Sequence, residues 1–183
     1  ALGSGLNERI HALVEFDADG AGAQSPRLLA GGRFTTAGSG TADHLAQWDG
    51  SGWSSIGPGL DLNVRALTIW DPDGTGPLPS QVVAGCERSL LRGNYESTLV
   101  FRLESGQWLP ISADPVNFDV LCLASFDLDG SGPEPASLVA GGGFDSIGSR
   151  IARWNGASWS GLGSGMDSDV LALASFDVDG NGP

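Results

Sequence analysis

The sequence predicts an all-β chain: a β-propeller built of four-stranded antiparallel blades, three complete blades plus partial strands at both ends. Three observations carry that prediction. First, Phe-Asp-x-Asp-Gly-x-Gly occurs four times, once with Trp for Phe, and its copies start at Phe16, Trp70, Phe126 and Phe176. A period of roughly 50 residues makes each unit one supersecondary block that buries its apolar face against its neighbours. Second, each period holds four short apolar segments separated by Gly, Asp, Asn and Ser, the pattern of strands joined by tight turns. Third, no window of useful length shows helical periodicity.

The first strand of a unit is 10–16, matched at 64–70, 120–126 and 170–176. It is apolar on both faces for most of its length, as a strand covered on both sides should be. It runs into the Asp-x-Asp-Gly turn. The second strand is 27–32, matched at 81–86 and 137–142. Its paired glycines point to a close backbone approach or a bend. The third strand is 45–48, matched at 100–103 and 151–154, and Asp49-Gly50 or Asn155-Gly156 follows it as a hairpin signal. The fourth strand starts at Trp53, Trp108 or Trp159. The blades then span approximately 10–60, 64–115 and 120–166 of a single domain, 1–183, with an extra first strand at 170–176. The opening residues 1–6 match 161–166, the end of a fourth strand.

Five of the six Trp recur at two fixed places: Trp48 and Trp154, then Trp53, Trp108 and Trp159. The sixth, Trp70, replaces the repeated Phe. Periodic recurrence points to aromatic wedges between twisted sheets, with a sugar-binding platform as the sharper alternative. Cys86 stands where other units have Gly32 and Gly142, and Cys122 where they have Ala12, Ala66 and Ala172. Both read as small-for-small exchanges of a buried thiol rather than as a disulfide pair. The second unit drifts most: Cys86-Glu87-Arg88 interrupts its Gly-Gly-x-Phe and Leu103 replaces its third-strand Trp.

With 22 acidic against 9 basic residues the net charge is −13, which repels phosphate backbones and argues against nucleic acid. Divalent cations, cationic partners or simple solubility fit that charge. No apolar run approaches the roughly 18 residues of a membrane helix, so membrane insertion is not expected. There is no basic-then-apolar signal peptide in this chain. The chain begins at Ala1 without Met, which predicts processing or excision from something longer.

The repeated turns place two Asp at i and i+2 before Gly: Asp17 and Asp19, Asp71 and Asp73, Asp127 and Asp129, Asp177 and Asp179. Calcium wants six to eight oxygens around a loop that Gly lets turn sharply. The usual third ligand position varies here from Ala21 through Thr75 and Ser131 to Asn181, so Asn181 makes the last loop the best candidate. The competing reading is hairpin chemistry, since Asp bonds to nearby backbone and Gly tolerates positive φ. The opposite rim carries the segments between units. There His11, Asn63, Arg65, Asp119 and Asp169 form the expected ligand pocket, with Asx turns leading into an inner strand as the alternative. No Gly-x-Ser-x-Gly, His-Glu-x-x-His or Cys-x-x-Cys constellation is present.

Gly31-Gly32…Trp48…Trp53 and Gly141-Gly142…Trp154…Trp159 resemble the kelch repeats of galactose-oxidase-like propellers. The middle unit keeps Gly85 and Trp108 of that pattern. The kelch Tyr of the third strand is replaced by Trp48 and Trp154. The Asp-x-Asp-Gly turns look like the FG-GAP blades of integrin-type propellers, which the resemblance associates with calcium. The combined pattern is similar to uncharacterised bacterial propeller repeat proteins. The copper site of galactose oxidase needs Tyr and His, and this chain has only Tyr95, His11 and His44. The resemblance therefore implies binding rather than catalysis, and the expected function is a non-enzymatic binding module for a protein or glycan, outside the cytoplasm. A calcium-stabilised adhesion-type propeller and a fragment of a larger propeller enzyme remain as alternatives. Propellers close with about four to eight blades. Three blades predict either a piece of a longer ring or self-association of two chains into a six-bladed ring, with strand 170–176 competing for the partner's 10–16 slot.

Overall fold

The computed structural model describes residues 3–18, 22–74, 76–87, 99–112, 119–127, 135–145 and 147–175. The described residues contain strands and turns and no helix. In chain order the strands are β1 Ile10–Phe16, β2 Arg27–Gly32, β3 Thr36–Ala37, β4 Gly40–Thr41, β5 Leu45–Trp48 and β6 Trp53–Ser55. Next come β7 Asn63–Trp70, β8 Gln81–Glu87, β9 Val100–Glu104 and β10 Gln107–Pro110. The last are β11 Val120–Phe126, β12 Ser137–Gly142, β13 Ile151–Trp154 and β14 Trp159–Gly161. They form three antiparallel four-stranded sheets, ordered β1-β2-β5-β6, β7-β8-β9-β10 and β11-β12-β13-β14, and a two-stranded hairpin, β3-β4.

The sequence-derived segments become these strands with shifts of one residue at β7, β8, β9 and β10. One element comes in addition to the expected strands, and one expected strand is missing. The β3–β4 hairpin lies in 36–41, between the second and third strands of the first sheet, and closes through Thr36–Thr41 and Ala37–Gly40 pairing. The extra first strand 170–176 is not a strand over its described part, 170–175. A strand needs a continuous ladder of backbone bonds, and among the described residues the bond from Val170 N–H to the Gly142 carbonyl, at 3.3 Å, is not extended into one.

Every sheet repeats one register irregularity. Pairing of the first strand with the second shifts between Ile10 and Ala12, between Val64 and Ala66, and between Val120 and Cys122. One residue is therefore bulged out at the same place each time: His11, Arg65 and Leu121. The bulge brings the first-strand backbone against the end of the second. Arg33 N–H donates to the Arg9 carbonyl at 2.9 Å, and Gly143 N–H to the Asp119 carbonyl at 3.0 Å. A side chain at Gly32 or Gly142 would run into those same carbonyls. In the middle sheet the pairing continues one step further, to Asn63–Glu87, and Cys86 fits there fully buried. Both cysteines are free and buried, and desolvation pushes both thiols up, Cys122 to about 11.

The first glycine of each pair sets the contact between sheets. A Cβ on Gly31 would stand 2.5 Å from Val64 Cγ1, and one on Gly85 would stand 2.6 Å from Val120 Cγ1. Val64 and Leu67 are 0% and 9% exposed because they seat on Gly31, whereas their counterparts on the first sheet, Ile10 and Leu13, are 44% and 54% exposed. The third copy of the contact uses the segment 170–175: a Cβ on Gly141 would stand 2.7 Å from Val170 Cγ1. Cys122 Sγ–H donates to the Val170 carbonyl at 3.4 Å. At the other end, Gly3 lies against Trp48 and Trp53 as Gly57 lies against Trp108. The described ends of the chain thus follow the same repeat as its middle.

Trp70, Trp108, Trp154 and Trp159 are buried in this stack, and Trp48 and Trp53 are half-buried on its first sheet. Trp48 with Trp53, and Trp154 with Trp159, meet at centroid distances of 5.7 and 5.5 Å with tilted planes, a favourable aromatic geometry. Two indoles bond across sheets: Trp70 donates to the Ala136 carbonyl at 2.7 Å and Trp108 to the Ile56 carbonyl at 3.0 Å.

The turns between third and fourth strands differ in chemistry. Asp49 Oδ1 accepts from Ser51 N–H at 2.8 Å, Ser51 Oγ–H at 2.8 Å and Gly52 N–H at 2.9 Å. Asn155 Oδ1 accepts from Ala157 and Ser158 N–H at 3.0 and 2.9 Å. The backbone donors of Ser51 and Gly52 hold the Asp49 carboxyl at about 2, below its ordinary 3.8. A carboxyl depressed on folding stabilises the fold above its unfolded value and loses that contribution as pH falls through the folded one. Acidification from pH 4 toward pH 2 is therefore expected to reduce the amide-exchange protection of Ser51 and Gly52 while Ala157 and Ser158, capped by a neutral amide, keep theirs. Parallel loss at both hairpins would contradict the assignment.

Candidate functional site

The bulges and the ends of the second strands lie at one end of the sheets. The Asp-x-Asp-Gly turns lie at the other end, together with the β5–β6 and β13–β14 hairpins, because Phe16 pairs with Arg27 and Trp48 with both Leu28 and Trp53. First strands of successive sheets are neighbours, so His11 and Arg65 project from equivalent bulges on adjoining strands. Arg33 follows the second strand of the first sheet, and Glu87 ends the second strand of the second. Glu87 stands opposite Asn63 in the β7–β8 register.

His11 lies in the field of this group. Desolvation lowers its pKa first, then the Arg65 charge; Arg33 and Arg9 act in the same direction and Glu87 opposes them. His11 Nε2 is shut off from solvent without a hydrogen-bond partner. Arg65 Nη1 lies 3.5 Å from Glu87 Oε2, close enough for an ion pair, yet that oxygen makes no hydrogen bond. With both partners about a third exposed, the pair contributes little stability and leaves the guanidinium able to meet a ligand. Arg9 and Arg33 have no carboxylate partner among the described residues.

Of the five expected pocket residues, the structure gathers His11, Arg65 and Asn63. Asp119 and Asp169 occupy the equivalent position on the third sheet and on the segment that follows it. Asp169 Oδ1 accepts from Arg150 Nη1 at 3.1 Å, and Arg150 Nε also meets Asp145 Oδ1 at 3.2 Å. That ion-pair group helps to hold 170–175 against the third sheet. Arg150 has φ 75° and its counterpart His44 φ 66°. Their carbonyls accept from the Gly142 and Gly32 N–H groups at 3.0 and 3.1 Å. Sequence reasoning left Arg33 and Glu87 out of the pocket. The signal was their shared column, directly after the second-strand glycines, which antiparallel pairing puts beside the start of the first strand.

Of the expected metal residues, Asp19, Asp129, Asp177, Asp179 and Asn181 lie outside the described residues. Asp17 and Asp127 each have a partner. In the second turn Asp71 Oδ1 accepts from Asp73 N–H at 3.2 Å, Asp73 Oδ2 from Leu78 N–H at 3.0 Å, and the Asp73 carbonyl from Gly76 N–H at 3.1 Å. Those bonds are what a hairpin turn requires of Asp. Asp73 Oδ1 is solvent-excluded and has no hydrogen-bond partner. Among the described residues no group of three His, Cys, Asp or Glu side chains could hold a metal ion.

No family model, curated protein or solved structure matches the chain. The functional reading therefore rests on its own residues.

The rim has a measurable signature. In an NMR titration Arg65→Met should raise the His11 pKa, by removing a repelling cation, and Glu87→Gln should lower it further. A His whose folded pKa is lowered binds its proton better when unfolded, so stability falls as pH drops below the ordinary 6.5; His44 is lowered by desolvation too and adds to the trend. An unchanged His11 pKa in both variants would separate the imidazole from this cluster.

Proposed function

We propose that the chain is a segment of a kelch-like β-propeller and serves as a non-enzymatic binding module for a protein or glycan. The three stacked antiparallel sheets with adjoining first strands support the propeller reading, and its blades are the three sheets. The ligand seats at the rim of the first two sheets through an acidic group. The observation that carries this reading is the repeated bulge, which sets His11 and Arg65 side by side with Arg9 and Arg33 nearby. Four cationic or protonatable groups gather there on a chain of net charge −13. A carboxylate or sulfate would receive charge-assisted bonds from the guanidinium forks. Screened against acidic and neutral glycans, the protein should retain acidic ones only. The double variant Arg33→Ala, Arg65→Ala should lose about tenfold or more in affinity without unfolding. Equal retention of neutral glycans, or binding unchanged in the double variant, would refute the rim as the site.

A second reading, a calcium-stabilised propeller, is favoured by one observation: the partnerless Asp73 Oδ1 in a loop that also holds Asp71. Calcium should then raise the melting temperature and EDTA lower it, with Asp73→Asn abolishing the difference. Identical melting curves would leave the turn Asp residues to hairpin bonding alone.

A further inference from the structure

At the turn end of the strands, away from the His11 rim, a cleft of about 190 Å³ opens between the first and second sheets. Phe16, Leu29, Ile56 and Leu103 form its apolar wall, and Arg27 and Gln47 stand at its polar side. Its origin lies in the repeat. Phe16 corresponds to Trp70, and Leu103 to Trp154. At the junction of the second and third sheets both indoles are present and buried, 3% and 4% exposed, within one apolar core. At the junction of the first and second sheets both are replaced by smaller side chains, and Phe16 and Leu103 remain only partly buried. A cleft of about 270 Å³ lies at that junction too, but Trp70, Ser137, Arg153 and Asn155 line it, whereas the exchange to Phe16 and Leu103 gives the first cleft an apolar wall with Leu29 and Ile56.

Its size and lining suit a flat ring. A cavity of roughly 150 Å³ lined by aliphatic and aromatic groups is enough for benzene. Among the lining residues Arg27 is the only charged side chain. Its Nη1 donates to Gln47 Oε1 at 2.9 Å, which orients the guanidinium fork and leaves further N–H donors available. No described carboxylate pairs with Arg27. Apolar walls with one or two placed polar groups are the ordinary make-up of a small-molecule site.

We propose that this cleft binds small aromatic carboxylates, the ring between Phe16 and Leu103 and the carboxylate on Arg27. The proposal is independent of the rim. Indole-3-acetate is a direct probe. Added at millimolar concentration, it should shift the NMR signals of Phe16, Leu29 and Leu103 and leave those of His11 and Arg65 unmoved. Arg27→Met should weaken indole-3-acetate about tenfold and bring its affinity to that of indole. Leu103→Trp, which restores the residue of the third sheet, should fill the cleft and abolish binding while circular dichroism stays native. Phe16→Trp provides the same test should Leu103→Trp fail to fold. Absence of shifts at the cleft in the wild type, or undiminished binding in a folded filled variant, would overturn the proposal. So would equal loss of indole and indole-3-acetate in Arg27→Met.

Discussion

The close approach of a glycine in one sheet to a valine in the next is the constraint on which the rest of the structure depends. Gly31 with Val64, Gly85 with Val120 and Gly141 with Val170 repeat it three times at nearly the same separation. Interiors are packed so densely that one added methyl group must displace something. The glycine lets the next first strand lie directly against the sheet, and the strand's Val and Leu then lose their water. The burial of a Val or Leu side chain contributes about 1.5–3 kcal/mol, so each contact gives a substantial share of the few kcal/mol by which a domain is stable. The third contact shows the strength of the preference. Residues 170–175 take their place against Gly141 without any described sheet of their own, tied by Asp169 to Arg150. A second copy of the chain could seat its β1 there only by displacing that segment and its ion pair.

Once the sheets are stacked in this way, the rest follows from geometry. The first strands become neighbours, and the bulge near the start of each turns one residue per sheet toward the same rim. In the first two sheets that residue is cationic or titratable; in the third it is Leu121. The same stacking makes every junction a pair of facing surfaces, whose fit depends on two positions contributed by different units. Where these are Trp70 and Trp154 both indoles are buried and the cleft beside Trp70 has Ser137, Arg153 and Asn155 in its lining. Where they are Phe16 and Leu103 the cleft has an apolar wall with Arg27 beside it. Binding chemistry at either end is thus a consequence of local divergence on a repeated frame.

Much of this frame was legible in the sequence. Period, strand order and the places of the tryptophans came from aligned columns, because each unit solves the same packing problem with the same residues. The two-glycine column announced a close approach, although only the structure separates its roles: Gly31 faces the next sheet, while Gly32 makes room for the bulge of its own. The β3–β4 hairpin was not legible, since Thr-Thr-Ala-Gly-Ser-Gly-Thr has turn composition and its two-residue strands leave no periodicity. The strand expected at 170–176 fails for a different reason: strand identity belongs to a pair of segments, and sequence describes one. Arg33 and Glu87 were missed at the rim, and the Phe16–Leu103 cleft altogether, because their neighbours lie across strands or across sheets rather than along the chain.

The central claim is that glycine–valine contact couples the sheets. A double-mutant cycle on Gly85 and Val120, read by urea unfolding, tests it most directly. Gly85→Ala alone should destabilise by about 1–3 kcal/mol, as added volume in a packed core does. Val120→Ala should open space for that methyl group, so the double variant should be more stable than the two separate losses predict, by a coupling of about 0.5–3 kcal/mol. Effects on the unfolded chain are common to both backgrounds and cancel. Additivity within about 0.5 kcal/mol would contradict the account, and would mean that the sheets are held together by something other than this contact.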